Sequence, residues 1–320
     1  MWNEAHPCVP AAVRSGWRQG SVLAAAVLAV VVIGTGTGTH LASAQSLNWE
    51  GQTGVFVTPL AYTVPSSHQS LGRPVVAYHY LDGGDVLGGF HQVSVTMGAF
   101  DRFEFGYTRS PHQEGRTIGL SNLWSSGFNT FHGKFNVLRE NAAKQAWLPA
   151  VSVGFVARSN VRNVGGVIQG QDTSNADFYV VATKTVTQIR KLPLVFNLGF
   201  KATNASLLGL AGNAPAFTGR LFGAAAVVLR GPKRSTIMLG SEFLQQPRSI
   251  EGLPGAVVPT TITYAIRIVP AGAFPNSRGW GEHKPKLCID IGIAQAAGNI
   301  LPGVDLHARH QLALGISYSY

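Results

Sequence analysis

Charged residues are scarce in this 320-residue chain, at 12% of the sequence against about 25% in soluble domains. With a hydrophobic content of 45%, this scarcity excludes an intrinsically disordered protein and argues against a soluble enzyme with a charged surface. Only two cysteines occur, Cys8 and Cys288, and they match no zinc-binding spacing. The formal net charge of +10 comes without a dense basic run or a nucleic-acid-binding motif, so we expect no nucleic-acid partner and no cofactor.

Long hydrophobic runs are also missing. The apolar run from Val22 to Ile33 covers about a dozen residues, fewer than the ~20 that a membrane-spanning helix needs. Arg14 and Arg18 precede this run, and Ala42-Ser43-Ala44 follows it. A basic segment, a short apolar core and a small-residue cleavage site predict a signal peptide over residues 1–44. A membrane anchor is the alternative, and residues 45–320 are predicted to form one domain.

The last ten residues alternate between two kinds of side chain. Leu312, Leu314, Ile316, Tyr318 and Tyr320 share one face of an extended chain, while the other face is small and polar. Ten residues are the length of a tilted membrane strand. A final strand that ends on an aromatic residue resembles the terminal strand of Gram-negative outer-membrane proteins. This resemblance implies that Leu314, Ile316, Tyr318 and Tyr320 form a signal for the barrel-assembly machinery.

The same alternation recurs along the rest of the chain. It is clear in residues 91–98, 101–108, 193–201, 261–269 and 286–294, and weaker in residues 75–81, 128–138, 151–157, 176–186, 217–229 and 235–245. The strands number about twelve, and bacterial single-chain barrels carry an even number. We therefore predict an all-β fold, a closed antiparallel up-and-down transmembrane β-barrel of about 12 strands in the cell outer membrane, surrounded by outer-membrane lipids.

The connections between strands differ in length. The link from Ala99 to Asp101 predicts a tight periplasmic hairpin, and longer polar stretches near residues 111–126, 160–175 and 270–284 predict outer loops. Large aromatic residues near strand ends are typical of the girdles at the two membrane interfaces. The candidates for these girdles are Trp124, Trp147, Trp280, Tyr318 and Tyr320.

The strand pattern also assigns polar side chains to the lumen, because an Arg or Lys facing lipid at mid-depth costs about 2–4 kcal/mol. The predicted lumen-facing residues are Arg102, Glu104, His132, Lys134, Lys201, Glu242, Arg267 and Asp290. Two interpretations stay open. The lumen is filled by ion pairs and small residues, or it is a narrow pore with a slight cationic bias.

The segment from Trp49 to Ala61 ends in Thr-Pro-x-Ala and resembles the opening of the YjbH-like envelope β-barrels. That resemblance implies a role in exopolysaccharide export. The segment is also similar to small outer-membrane families of unknown function. Pro59 has no N–H to donate, so it should end or bulge a strand. The stretch from Gly51 to Tyr62 is therefore either a first strand or a short lumen plug.

Catalytic residues do not form a recognisable set. His79, His91 and His132 lie on or near predicted strands, but nothing in the sequence pairs them with a serine, and no G-x-S-x-G motif occurs. No metal site is predicted. We therefore expect a porin-like, non-enzymatic barrel, either a narrow pore for small or extended solutes or a structural envelope protein. An outer-membrane hydrolase of lipid or peptide and a secreted β-sandwich adhesin are the alternatives.

Overall fold

The computed structural model describes residues 46–116, 124–162, 172–187, 192–253, 255–270, 286–295, 299–301, 304–305 and 311–319. Its fifteen strands are β1 (Val75–Asp82), β2 (Gly89–Ala99), β3 (Phe103–Ser110), β4 (His112–Gln113), β5 (Phe128–Leu138), β6 (Ala150–Arg162), β7 (Asp172–Val186), β8 (Leu194–Ala205), β9 (Asn213–Arg230), β10 (Thr236–Leu244), β11 (Thr261–Val269), β12 (Lys286–Gln295), β13 (Asn299–Leu301), β14 (Val304–Asp305) and β15 (Gln311–Ser319). The predicted signal peptide, residues 1–44, lies outside the described residues and stays a prediction.

Twelve of these strands form one closed barrel. Each long strand pairs antiparallel with its neighbour in the chain, and β15 closes the ring by pairing with both β12 and β1. The short β4 continues the line of β3 and pairs with the start of β2, and β13 and β14 form a separate hairpin. The predicted closed, antiparallel 12-strand barrel is confirmed. A single closed sheet also rules out the β-sandwich alternative.

Helical structure is minor in the described part of the chain. One four-residue helix, α1 (Gly84–Leu87), joins β1 to β2, and 3-10 turns occupy Ala142–Lys144, Ser206–Gly209 and Pro232–Arg234. Among the described residues, no helix combines the length and the apolar character needed to cross a membrane.

The two faces of the sheet differ in chemistry. On β8, Phe196 and Phe200 are exposed on the outside, whereas Asn197 and Lys201 are buried inside. On β15, Leu314 and Ile316 point outward and are exposed, and Tyr318 is half-buried. Tyr320 lies outside the described residues. The barrel therefore presents an apolar belt to its surroundings and a polar wall to its lumen, as expected for a barrel in lipid.

Strand direction decides which connections share an end of the barrel. We call the end that holds the β2–β3 turn the turn end, and the opposite one the loop end. β3 and β6 end, and β5 and β7 begin, at the loop end, while residues 117–123 and 163–171 lie outside the described residues. The connection from β11 to β12 was predicted as an outer loop, but it joins strands at the turn end. Each antiparallel strand reverses the direction of the chain, so successive connections alternate between the two ends of the barrel.

The N-terminal segment lies inside the barrel. Trp49 and Phe56 are 2% and 0% exposed, although no long strand contains them. Short bridges fold the segment on itself, pairing Leu47 with Thr53 and Gly54 with Pro59. The stretch from Gly51 to Tyr62 is therefore a lumen plug and not a first strand. We refer to residues 46–64 as the plug.

The substitution Ile266→Arg tests whether the apolar belt faces lipid. Ile266 lies near the middle of β11 and is 44% exposed on the outer face. We expect Ile266→Arg to lower the free energy of unfolding by about 2–4 kcal/mol, because the guanidinium would face hydrocarbon. Denaturant titration in lipid vesicles measures the change. Gln69→Arg, at an exposed position before β1, is the matched control and should be close to neutral.

Candidate functional site

Seven of the eight residues predicted to face the lumen are buried in the barrel interior: Glu104, His132, Lys134, Lys201, Glu242, Arg267 and Asp290. Arg102 differs from them. It lies in the β2–β3 turn, and its guanidinium donates to the carbonyl oxygens of Asn136 and Val137, both at 3.1 Å. Placing Arg102 in the lumen was wrong because β3 begins at Phe103, and the period of two does not continue into a turn.

One carboxylate binds a run of plug N–H groups. Oε1 of Glu242 accepts hydrogen bonds from the backbone of Phe56 at 3.0 Å and Val57 at 2.9 Å. Oε2 accepts from the backbone N–H of Thr58 at 2.8 Å and from its hydroxyl at 2.7 Å. Among the described residues, no Lys, Arg or His side chain forms an ion pair with Glu242. Four donors from the plug therefore stabilise this buried carboxylate in place of a cation.

A second carboxylate binds the plug at two points. Glu104 accepts hydrogen bonds from the backbone N–H groups of Thr53 and Val64, each at 2.9 Å, and from the Thr53 hydroxyl. Its Oε1 also lies 2.9 Å from Nζ of Lys134. Because Thr53 and Val64 are eleven positions apart, Glu104 holds the two arms of the plug together.

Cationic and amide side chains bind the plug carbonyl groups. Nζ of Lys134 donates to the carbonyl oxygens of Thr53 at 3.1 Å and Leu60 at 3.2 Å. The guanidinium of Arg267 donates to the carbonyl oxygens of residues 54 and 55, at 3.0 and 2.9 Å. The amide of Asn197 reaches the carbonyl of residue 59 at 3.0 Å. The barrel wall thus provides partners for a backbone that lacks regular secondary structure.

An ion network joins the plug to the strands β6, β7 and β8. Nε of Arg158 lies 2.8 Å from the carboxylate of Glu50, the one charged residue of the plug. The same guanidinium donates to Asp177 at 2.9 Å and to Asn175 at 3.0 Å. Lys201 also contacts Asp177, at 3.1 Å. Arg158 and Asp177 were not among the residues predicted to face the lumen, although the alternation of residues 151–157 reaches Arg158 when it is continued by one residue.

The plug also packs against wall aromatics. The ring of Phe56 meets His79 edge-on, with centroids 5.6 Å apart, and Trp49 lies 6.2 Å from Phe56. Tyr179 and Phe222, on β7 and β9, belong to the same buried cluster. This packing leaves little space. The two cavities in contact with the plug have volumes of about 40 and 10 Å³, which accommodate at most a few water molecules.

The loop end is narrowed by connections that fold inward. Leu207 and Ala211 pack on Ile250, Ala256 and Val258 in a second buried cluster. The indole N–H of Trp124 donates to the carbonyl of residue 210 at 2.7 Å. Trp124 is 7% exposed, so its predicted place in an interfacial girdle was wrong. Trp147 is exposed, and Trp280 lies outside the described residues.

At the turn end, the plug is fastened to the barrel rim. The Tyr62 hydroxyl donates to Glu140 at 2.8 Å and lies 3.1 Å from the Thr185 hydroxyl. Burial, reinforced by the negative charge of Glu140, raises the pKa of Tyr62, so its phenol stays protonated. Glu140 also pairs with Lys184 at 3.3 Å. This set of contacts fixes the point where the plug leaves the lumen.

The three histidines considered for catalysis are not brought together. His79 packs on Phe56, His132 lies 3.4 Å from the Thr96 hydroxyl, and His91 faces outward with Nδ1 2.7 Å from the Tyr78 hydroxyl. None of these contacts is with a serine. Within the described ranges, no three His, Cys, Asp or Glu side chains are grouped so as to hold a metal ion.

The family of the chain is established by its sequence. The DUF3034 family, described as a protein of unknown function, matches residues 45–256, about two thirds of the chain. The chain belongs to the DUF3034 family. The similarity to small families of unknown function is confirmed, while the resemblance to YjbH-like barrels is not supported. No curated protein matches the sequence.

Solved structures with a similar fold are outer-membrane barrels. The KdgM porin is 11% identical, with 77% of this chain and 99% of that chain covered and a TM-score of 0.42. The NanC porin is 9% identical, with 77% and 98% covered and a TM-score of 0.44. The β domain of the Bordetella autotransporter BrkA is 10% identical, with 79% and 99% covered and a TM-score of 0.38. The barrel architecture rests on the strand pairing of this chain itself.

Removing the central cation of the ion network should destabilise the protein. We expect Arg158→Met to lower the free energy of unfolding by about 3–5 kcal/mol, because it leaves two buried carboxylates without their guanidinium partner. The temperature at which the folded gel band is lost on heating should fall accordingly. Arg102→Met, at the half-buried turn position, is the matched control. Equal losses from the two substitutions would contradict the importance assigned to Arg158.

Proposed function

We propose that this protein is a channel of the outer membrane that residues 46–64 hold closed. The observation that carries the proposal is the nature of the plug contacts. Its backbone is bound by charged wall side chains, chiefly Glu104, Lys134, Glu242 and Arg267. Such groups can exchange the plug for water or for a polar solute, because both offer hydrogen bonds.

The attachment of the plug supports a gating role. Residues 65–74 join the plug to β1 at the turn end, where Gly72 donates to the carbonyl of Gly98 and Leu71 bridges to Ala99. The plug can therefore leave the lumen without separating any pair of barrel strands. The plug also occupies the lumen between these side chains, and the two cavities beside it, of about 40 and 10 Å³, have room for only a few water molecules.

A structural envelope protein is the second candidate. The buried contact between Arg158 and Glu50 favours it, because breaking a buried ion pair is costly and would hold the plug in place permanently. The two functions differ in one measurable property. A gated channel passes ions once its plug is weakened, whereas a structural barrel with loop-end closure stays silent.

Conductance in planar bilayers tests the channel. We expect the wild-type protein to be mostly silent and Glu242→Gln to open at least roughly tenfold more often, because a hydrogen bond to a charged group contributes about 1.5–3 kcal/mol. Deleting residues 46–64 should give a steady current. Glu114→Gln makes the same chemical change in an exposed loop and should resemble the wild type.

The controls separate loss of folding from loss of function. Each variant is first checked for a heat-shifted band on an unheated gel, which reports a folded barrel. If the folded deletion variant and the folded Glu242→Gln variant both pass no current, the channel is rejected and the structural role stands.

Export and insertion belong to the same proposal. An apolar belt suits outer-membrane lipids, and the outward residues of β15, including Leu314 and Ile316, suit recognition by the barrel-assembly machinery. We expect the protein purified from outer-membrane fractions to begin at Gln45, as cleavage after Ala44 requires. Intact-mass spectrometry checks this, and recovery of an uncleaved chain would contradict the predicted signal peptide.

A further inference from the structure

Positive charge is concentrated on one side of the lumen. Strands β6 to β9 carry Arg158, Lys201 and Arg220 on their inner face, against the single carboxylate of Asp177; Arg158 and Lys201 are buried, and Arg220 is half-buried. Arg220 lies directly opposite Lys201 in the strand register, so both share the inner face. Its Nε atom is buried and has no hydrogen-bond partner among the described residues. This wall therefore has a surplus of two positive charges.

The plug supplies the missing negative charge. Glu50 is its only charged residue, and the carboxylate contacts both Nε and a terminal nitrogen of Arg158. Its backbone is fixed nearby, since its carbonyl accepts from the Thr108 hydroxyl at 3.0 Å and its N–H donates to the side chain of Asn48 at 3.0 Å. When the plug leaves, Arg158 loses Glu50 and keeps Asp177 and Asn175.

Without Glu50, Arg158 keeps one of its two carboxylate partners, and its Nε is left to bind another anion. Guanidinium groups are well suited to binding carboxylates and phosphates, and here Nε and a terminal nitrogen of Arg158 both donate to Oε1 of Glu50. We infer that Glu50 occupies a binding site for the anionic group of the channel's solute, built by Arg158 with Lys201 and Arg220. The inference rests on the proposed channel function and adds to it the chemical class of the solute.

The neighbouring strand adds a second requirement. Glu242 lies on β10, next to β9, and four plug donors surround its carboxylate. A solute that takes the place of the plug must offer donors there, and hydroxyl groups do so without adding positive charge. The site therefore fits a hydroxyl-bearing anion. Binding of this solute and seating of the plug exclude each other, so the solute should open the channel.

Gluconate and sorbitol form a matched pair of probes, because both are six-carbon polyols and only gluconate carries a carboxylate. We expect gluconate to raise the open probability of the full-length wild-type channel by roughly tenfold, in the range usual for coupled sites, and sorbitol to leave it unchanged. In a KCl gradient, the Glu242→Gln channel should prefer chloride to potassium. Adding Arg158→Gln to that variant should abolish both the chloride preference and the response to gluconate.

Different results would reject the anionic solute and the channel itself. If the Glu242→Gln channel conducts without a chloride preference and gluconate acts no differently from sorbitol, the anionic solute is rejected while the channel stands. If Arg158→Gln prevents folding, Glu50→Gln replaces it, because this change removes the charge of the plug and keeps its shape. Glu50→Gln should open more often than the wild type without gluconate, and unchanged closure would overturn the inference.

Discussion

The burial of ionised side chains in a narrow lumen is the constraint on which the rest of this structure depends. A twelve-strand barrel encloses a lumen too narrow for a broad aqueous channel, so each ionised side chain inside needs a partner within reach. Glu104 and Glu242 find theirs in the backbone N–H groups of the plug, and Lys134 and Arg267 in its carbonyl groups. Plug and wall thus supply each other's hydrogen-bond partners.

The barrel itself could be predicted from the sequence because its signal is local. In β15, exposed apolar residues alternate with buried small ones, and the same period of two recurs along most of β8, whereas β9 shows it only in part. Neighbouring strands pair in chain order, so counting alternating segments also gave the topology. The alternation is a weaker guide at the ends of strands. Arg102 lies in a turn. Arg158 lies one residue beyond the alternating segment 151–157, although β6 itself continues to Arg162.

The sequence could not decide between a plug and a first strand for Gly51 to Tyr62, because the contacts of this segment are distant in sequence. Glu242 binds residues more than 180 positions earlier in the chain, and Arg158 binds a glutamate 108 positions earlier. No periodicity marks a segment whose conformation is set by the walls around it. Pro59 was a partial signal, since a residue without an N–H fits a folded segment as well as a strand end. The burial of Trp124 could not be predicted for the same reason, because its contact with the carbonyl of residue 210 is also distant in sequence.

Polar contacts that hold a plug differ from apolar contacts in their chemical selectivity. Apolar packing, as between Phe56 and His79, excludes water and gives affinity without chemical selectivity. Hydrogen bonds to Glu242 and the ion pair with Arg158 are selective, because only a ligand with matching donors and charge can replace them. In the proposed channel, the side chains that hold the plug therefore also define which solute can displace it. Closure and selectivity are then two results of one arrangement, and the proposal requires that a substitution that loosens the plug also alters the solute preference.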